Sequence, residues 1–107
     1  AVDLVLQAHE HDYERSWPTA DGQPTQTNYT APAAPVYVVN GAGGNREKNE
    51  LPPGDQPWSV HLEPGSGLQP QTANVSFALA VVAGGQLVYK QIDSQSGELI
   101  DEFTIVK

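Results

Sequence analysis

The chain has 107 residues, enough for one small domain with a modest core. Its formal net charge of −8 repels nucleic acid and anionic membranes, so a nucleic-acid module and a membrane-surface role are both disfavoured. With no cysteine there is no disulfide and no thiolate metal site, and redox chemistry gives no compartment.

Val2 to Ala8 is an alternating apolar run and predicts a first strand, buried on at least one face. It delivers Ala8-His9-Glu10-His11-Asp12-Tyr13-Glu14-Arg15, read as a loop at the strand end. In an extended segment, residues i and i+2 point to the same side with Cβ atoms roughly 6 to 7 Å apart. On a helix the same pair diverges, and the helical spacing His-Glu-x-x-His is absent. His9 and His11 are therefore candidate ligands of one metal ion, or of one ion each in a pair about 3.5 to 4 Å apart. The competing reading is two surface or hydrogen-bonded histidines. Glu14 and Arg15 are candidates for orienting the imidazoles from behind, or else a solvated ion pair. Glu10 is either a residue at a substrate mouth or a solvated carboxylate.

Trp17-Pro18 ends this motif, since proline cannot extend the interior of a ladder. Asp21 to Pro35, rich in Gly, Pro, Thr and Asn, reads as loop. Val36 to Val39 is a short apolar strand, followed by Gly41-Ala42-Gly43-Gly44-Asn45. A phosphate-cradling fingerprint requires a helix after such a loop, and here Pro52-Pro53 cuts the following segment short. The loop is read as a tight turn beside the metal site, with Asn45 and Arg46 at its rim. Residues from about 46 to 72 form a Pro/Gly-rich irregular region, within which Trp58, Val60 and Leu62 alternate as a brief edge strand. That strand places His61 on its other side, as a surface residue sooner than a third ligand.

The last third reads as an antiparallel meander. Val75 to Ala83 and Gln86 to Asp93 are joined by Gly84-Gly85, a two-residue hairpin signal, and Leu99 to Val106 returns after Ser94 to Gly97. Phe77, Leu79, Val88, Tyr89, Phe103 and Ile105 are assigned to the core. The chain is thus mostly β, a mixed sheet edge followed by the antiparallel meander, and is treated as one segment, 1–107. Two sequons, at Asn28 and Asn74, permit N-glycosylation on a eukaryotic secretory route. Neither a bilayer-spanning apolar stretch nor a signal-peptide pattern is present, so the chain reads as soluble. It contains no methionine and opens directly on a strand-like run, and is therefore read as a piece of a longer protein.

The string from Ala8 to Pro18, then Asn28-Tyr29-Thr30, Pro35 to Asn45 and the closing Gly97 to Lys107 together resemble the C-terminal part of a purple acid phosphatase. These enzymes belong to the calcineurin-like metallophosphoesterases. The last metal-binding motif of that family reads Gly-His-x-His-x-Tyr-Glu-Arg, with Ala8 here in place of the glycine, and a Gly-x-Gly-Gly-Asn element follows it. The resemblance implies that His9 is a ligand of a divalent metal (zinc, manganese or iron) and His11 a ligand of ferric iron. It also implies that the metals bind a phosphate monoester and activate a hydroxide for attack on phosphorus. Bound cations would then offset the repulsion between an acidic surface and a phosphate ester. The parent architecture implied is a four-layer α/β sandwich, of which this chain is a β-rich part, in a secreted, extracellular or vacuolar/lysosomal glycoprotein. The family's upstream motifs, with their aspartates, asparagine, further histidine and tyrosinate, do not occur in this sequence, and Tyr13 is not that tyrosinate. The segment by itself is therefore expected to be inactive, its partner being the missing N-terminal part of the same protein. The alternative is a stand-alone β-rich binding or structural module.

Overall fold

The computed structural model describes residues 2–44, 56–64 and 75–107. Among them all regular structure is strand. Strand β1 is Leu4–Gln7, β2 Asp12–Ser16, β3 Thr19–Ala20, β4 Gln23–Pro24, β5 Val36–Asn40, β6 Ser59–Pro64, β7 Ser76–Ala83, β8 Gln86–Asp93 and β9 Leu99–Val106. The chain is mostly β, with a mixed sheet and an antiparallel meander, as the patterning predicts.

The mixed sheet has the order β1-β5-β2-β6. β1 and β5 run parallel, Leu4 beside Val36 and Gln7 beside Val39, whereas β2 runs antiparallel to both β5 and β6. β6 lies at the edge, where the alternation of Trp58, Val60 and Leu62 puts a brief strand. The second sheet is β7-β8-β9, with Gly84-Gly85 at the first hairpin turn and a register shift at Gln91/Ile92. The two sheets enclose one core. Tyr13, Val36, Val38 and Ala42 come from the first side, and Tyr89, Phe103 and Ile105 from the second. Tyr89 and Phe103 stack at 5.1 Å, and Tyr29 tilts against Phe103 at 5.2 Å, separations at which aromatic pairs add to simple area burial.

Three sequence expectations need correction. The motif after His11 is not loop: Asp12 to Ser16 is the second strand, with Tyr13 and Arg15 buried. The pairing to β5 and β6 on both sides satisfies its backbone, which the charged sequence Asp-Tyr-Glu-Arg-Ser does not advertise. Asp21 to Pro35 is not wholly loop either, because Gln23–Pro24 pairs back on Thr19–Ala20. Asp21 and Gly22 both take positive φ, 51° and 72°, as a tight two-residue hairpin turn requires. Finally, Phe77 and Leu79 are not core. Side chains alternate across a strand, and Phe77, Leu79 and Val81 fall on the outer face of β7, each at least 50% exposed. Val88 is half-buried, while Tyr89, Phe103 and Ile105 are core as expected.

Candidate metal centre

The His-x-His segment is the connection between β1 and β2, and the topology explains its shape. β5 lies between these two strands, so Ala8 to His11 must pass over the end of β5 before β2 runs back. The histidines are thereby presented outside the carboxyl ends of two parallel strands, the end at which open α/β sheets place their ligands. The turn is a bend rather than extended chain, and His9 has φ 94°. That is rare for a residue with a side chain and typical of constrained functional sites. The period-two argument for the two imidazoles therefore does not hold through His9. His9 and Glu10 are exposed, and His11 is half-buried.

β2 sends alternate side chains to opposite sides. Towards the core, Tyr13 donates from its hydroxyl to Asp101 Oδ2 at 2.7 Å. Arg15 donates from Nε to the same oxygen at 2.6 Å and from Nη2 to Oδ1 at 3.0 Å. Arg15 Nη1 donates to the Tyr29 hydroxyl, which donates in turn to the Ser16 carbonyl at 3.1 Å. The guanidinium also lies 5.1 Å from the Phe103 ring centre. Burial, followed by the bond to Asp101 and its charge, raises the Tyr13 phenol far above its ordinary value, so it stays neutral. Arg15, offered by the sequence as a partner of the histidines, instead ties β2 to β9 through Asp101, a residue 86 positions away.

On the other side of β2, Glu14 pairs with Asp12. Burial chiefly, then the charge and hydrogen bond of Asp12 and the charge of Glu10, push the Glu14 carboxyl up to about 7. Burial also raises Asp12, and Asp12 Oδ1 is a buried acceptor without a hydrogen bond among the described residues. A cavity of about 260 Å³ opens on this face, lined among others by Gln7, Glu14, Tyr37, Val39 and Trp58, and not by His9 or His11.

Imidazole nitrogens suit zinc or iron as borderline donors. Among the described residues no group of three or more His, Cys, Asp or Glu comes close enough to hold an ion. The described residues do not by themselves make up a complete ligand set. Asn45, Arg46 and the sequon at Asn74 lie outside the described residues. The side chain of Asn28 is exposed, and its Oδ1 accepts from the backbone N–H of Thr30 at 3.0 Å. Sequence reasoning missed Asp101, which receives Tyr13 and Arg15, and Asn40, whose Oδ1 accepts from Gln91 Nε2 at 3.0 Å at the end of β5. Each acts across a separation of tens of residues, and no local pattern marks them.

A family model described as iron/zinc purple acid phosphatase-like protein C matches residues 34–102. The chain belongs to this family. Its relatives include acid phosphatase type 7 from Danio rerio, 35% identical, and from Homo sapiens, 31% identical, each aligned over 99% of this chain. The chain spans 24% of the length of both curated relatives. Among solved structures, purple acid phosphatase PPD1 from yellow lupin seeds superposes with a TM-score of 0.80 over 98% of this chain and 18% of that one. At 24% identity the lupin likeness speaks for the fold. The purple acid phosphatase-like match begins at residue 34, downstream of His9 and His11, whereas the alignments to the two acid phosphatases run over nearly the whole chain.

Proposed function

We propose that this chain is the C-terminal part of a binuclear-metal acid phosphatase that hydrolyses phosphate monoesters, and that it contributes two of the metal ligands. The observation that carries the reading is the His9-Glu10-His11 bend, held over the end of β5 in a chain of the purple acid phosphatase-like family. His9 would hold the divalent ion and His11 the ferric ion, the remaining ligands coming from an upstream part of the same polypeptide. Such a pair of ions, when bound, supplies charge neutralisation at the phosphoryl group and a nucleophile available at acid pH.

The chain's own residues bind and orient. Tyr13 and Arg15, clamped by Asp101, fix the strand immediately behind the histidines. Glu14 is bonded to Asp12, so an orienting role in the ligand set would pass through that acid. Glu10, exposed between the two ligands, is placed to meet substrate at the mouth. Placement outside the cell, or in a vacuolar or lysosomal compartment, with glycan at Asn28, agrees with an acid phosphatase. No helix among the described residues is long and apolar enough to cross a membrane.

The test is hydrolysis of an aryl phosphate by the complete polypeptide, together with its metal content. His11→Ala is expected to lower kcat by at least about a thousandfold, or 4 kcal/mol at about 1.4 kcal/mol per decade, with loss of bound iron. The 107-residue chain alone is expected to be inactive. Full turnover by His11→Ala would remove the reading.

A further inference from the structure

We propose that Gly41 is a positioning residue for the metal-ligand turn, because its bare Cα is the seat on which the His9-Glu10-His11 backbone rests. This rests on the metal-site reading above. β1 and β2 flank β5, so the turn has to bridge two strand spacings, about 9.6 Å, with Ala8 to His11 alone. So short a bridge has to lie directly on whatever ends β5. That strand ends at Asn40, and the next residue is Gly41.

The contact is close. The Gly41 N–H donates to the Asp12 carbonyl at 3.0 Å, tying the seat to the first residue of β2. A Cβ at position 41 would fall far inside the radius of the Glu10 carbonyl oxygen, 2.8 Å from its carbonyl carbon and 3.4 Å from the Cα of His11. Backbone atoms cannot swing aside as a side chain can, so any side chain here lifts the turn. The seat is itself held from the second sheet. Gln91, fully buried on β8, donates from Nε2 to Asn40 Oδ1 at 3.0 Å and to Ser76 Oγ at 2.7 Å, and accepts from the Tyr89 hydroxyl at 3.1 Å. The turn therefore rides on a fixed end of β5 and has no slack, which accounts for the positive φ at His9. Metal ligation needs its donors placed to within a few tenths of an ångström. Gly41 sets that placement without touching the metal.

The experiment measures Zn2+ affinity by competition, and the visible absorption of Co2+ as a probe, in the complete polypeptide carrying this chain. Gly41→Ala is expected to bind Zn2+ at least tenfold more weakly and to shift the Co2+ spectrum while unfolding cooperatively. Gly43→Ala, where an added Cβ meets nothing within 4 Å, is expected to bind as the unsubstituted protein does. His11→Ala separates the two ideas. If it binds both probes unchanged, the metal-site reading fails. If it loses metal while folded Gly41→Ala keeps its affinity and spectrum, the seat is refuted and the metal site stands. Should Gly41→Ala not accumulate as folded protein, one glycine inserted between Ala8 and His9 provides the second arm, giving the turn slack over an intact seat. A tenfold or greater loss of Zn2+ affinity there supports the proposal, and unchanged affinity overturns it.

Discussion

At the scale of single residues, β2 works because its alternate side chains meet opposite environments. Tyr13 and Arg15 face the core and share one carboxylate, Asp101, with the Arg15 and Asp101 side chains only 9% and 10% exposed. Removing one member of a buried pair leaves the other charge unpaired, which outweighs the Coulomb gain the pair had made. Asp101→Asn is therefore expected to lower stability by about 3 kcal/mol in chemical denaturation, well above the cost of a surface pair. The opposite face carries the pH dependence. Glu14 has its carboxyl raised from 4.5 to about 7, so the folded state binds that proton more tightly than the unfolded chain does. Its stabilising contribution is complete below about 4.5 and is lost as pH rises through about 7. Asp12, hydrogen-bonded to it, is raised as well, chiefly by burial. Melting temperatures measured across that window should fall with pH in the original chain, and Glu14→Gln should flatten the slope.

At the scale of elements, two short connections decide geometry out of proportion to their length. One is the bridge over β5. The other is the hairpin β3-β4, whose Asp21-Gly22 turn needs positive φ at both residues. Asparagine and aspartate tolerate that region, and glycine enters it freely, while other residues pay about 1 kcal/mol or more. Gly22→Ala should accordingly cost about 1 kcal/mol in urea denaturation although its added Cβ meets no neighbour within 4 Å. Asp21→Gly should be close to neutral by the same measurement. Thr19 adds a local tie by donating from Oγ1 to the Trp17 carbonyl at 2.7 Å, and its N–H donates to the Pro35 carbonyl at 2.9 Å. The hairpin is thus tied to the residue that precedes β5 instead of hanging free.

At the scale of the molecule, two sheets share an aromatic core while one of their outer faces stays bare. Phe77, Leu79 and Val81 stand on one side of β7, and Val82 on the other is 71% exposed. An apolar ridge of this kind on an isolated chain promotes association with itself or with dyes. The 107-residue chain should bind a hydrophobic reporter dye and sediment above monomer mass at high concentration. Phe77→Ser with Leu79→Ser should suppress both without lowering the melting temperature, since the ridge buries little in this chain. A double variant that still associates as before would locate the sticky surface elsewhere.

What could be read from the sequence follows from the range of the forces involved. The apolar run Val36 to Val39, the Gly84-Gly85 hairpin and the returning strand at Leu99 are set by apolar patterning and turn chemistry within a few neighbouring residues, and a strand or turn forms at each of them. The two histidines are likewise visible as a motif because they are two positions apart. Asp12 to Ser16 was hidden because charged residues form a central strand only when other strands satisfy the backbone on both sides and Asp101 receives Arg15. Phe77 and Leu79 carry the same apolar character as Phe103 and Ile105, and only the stacking of one sheet on the other decides which pair is enclosed. The amino-acid order by itself thus determined the strands of the meander and the spacing of the two histidines. The three-dimensional packing decided the backbone bend at His9, the seat at Gly41 and the partner of Arg15, because each depends on strands that meet in space although the chain separates them by tens of residues.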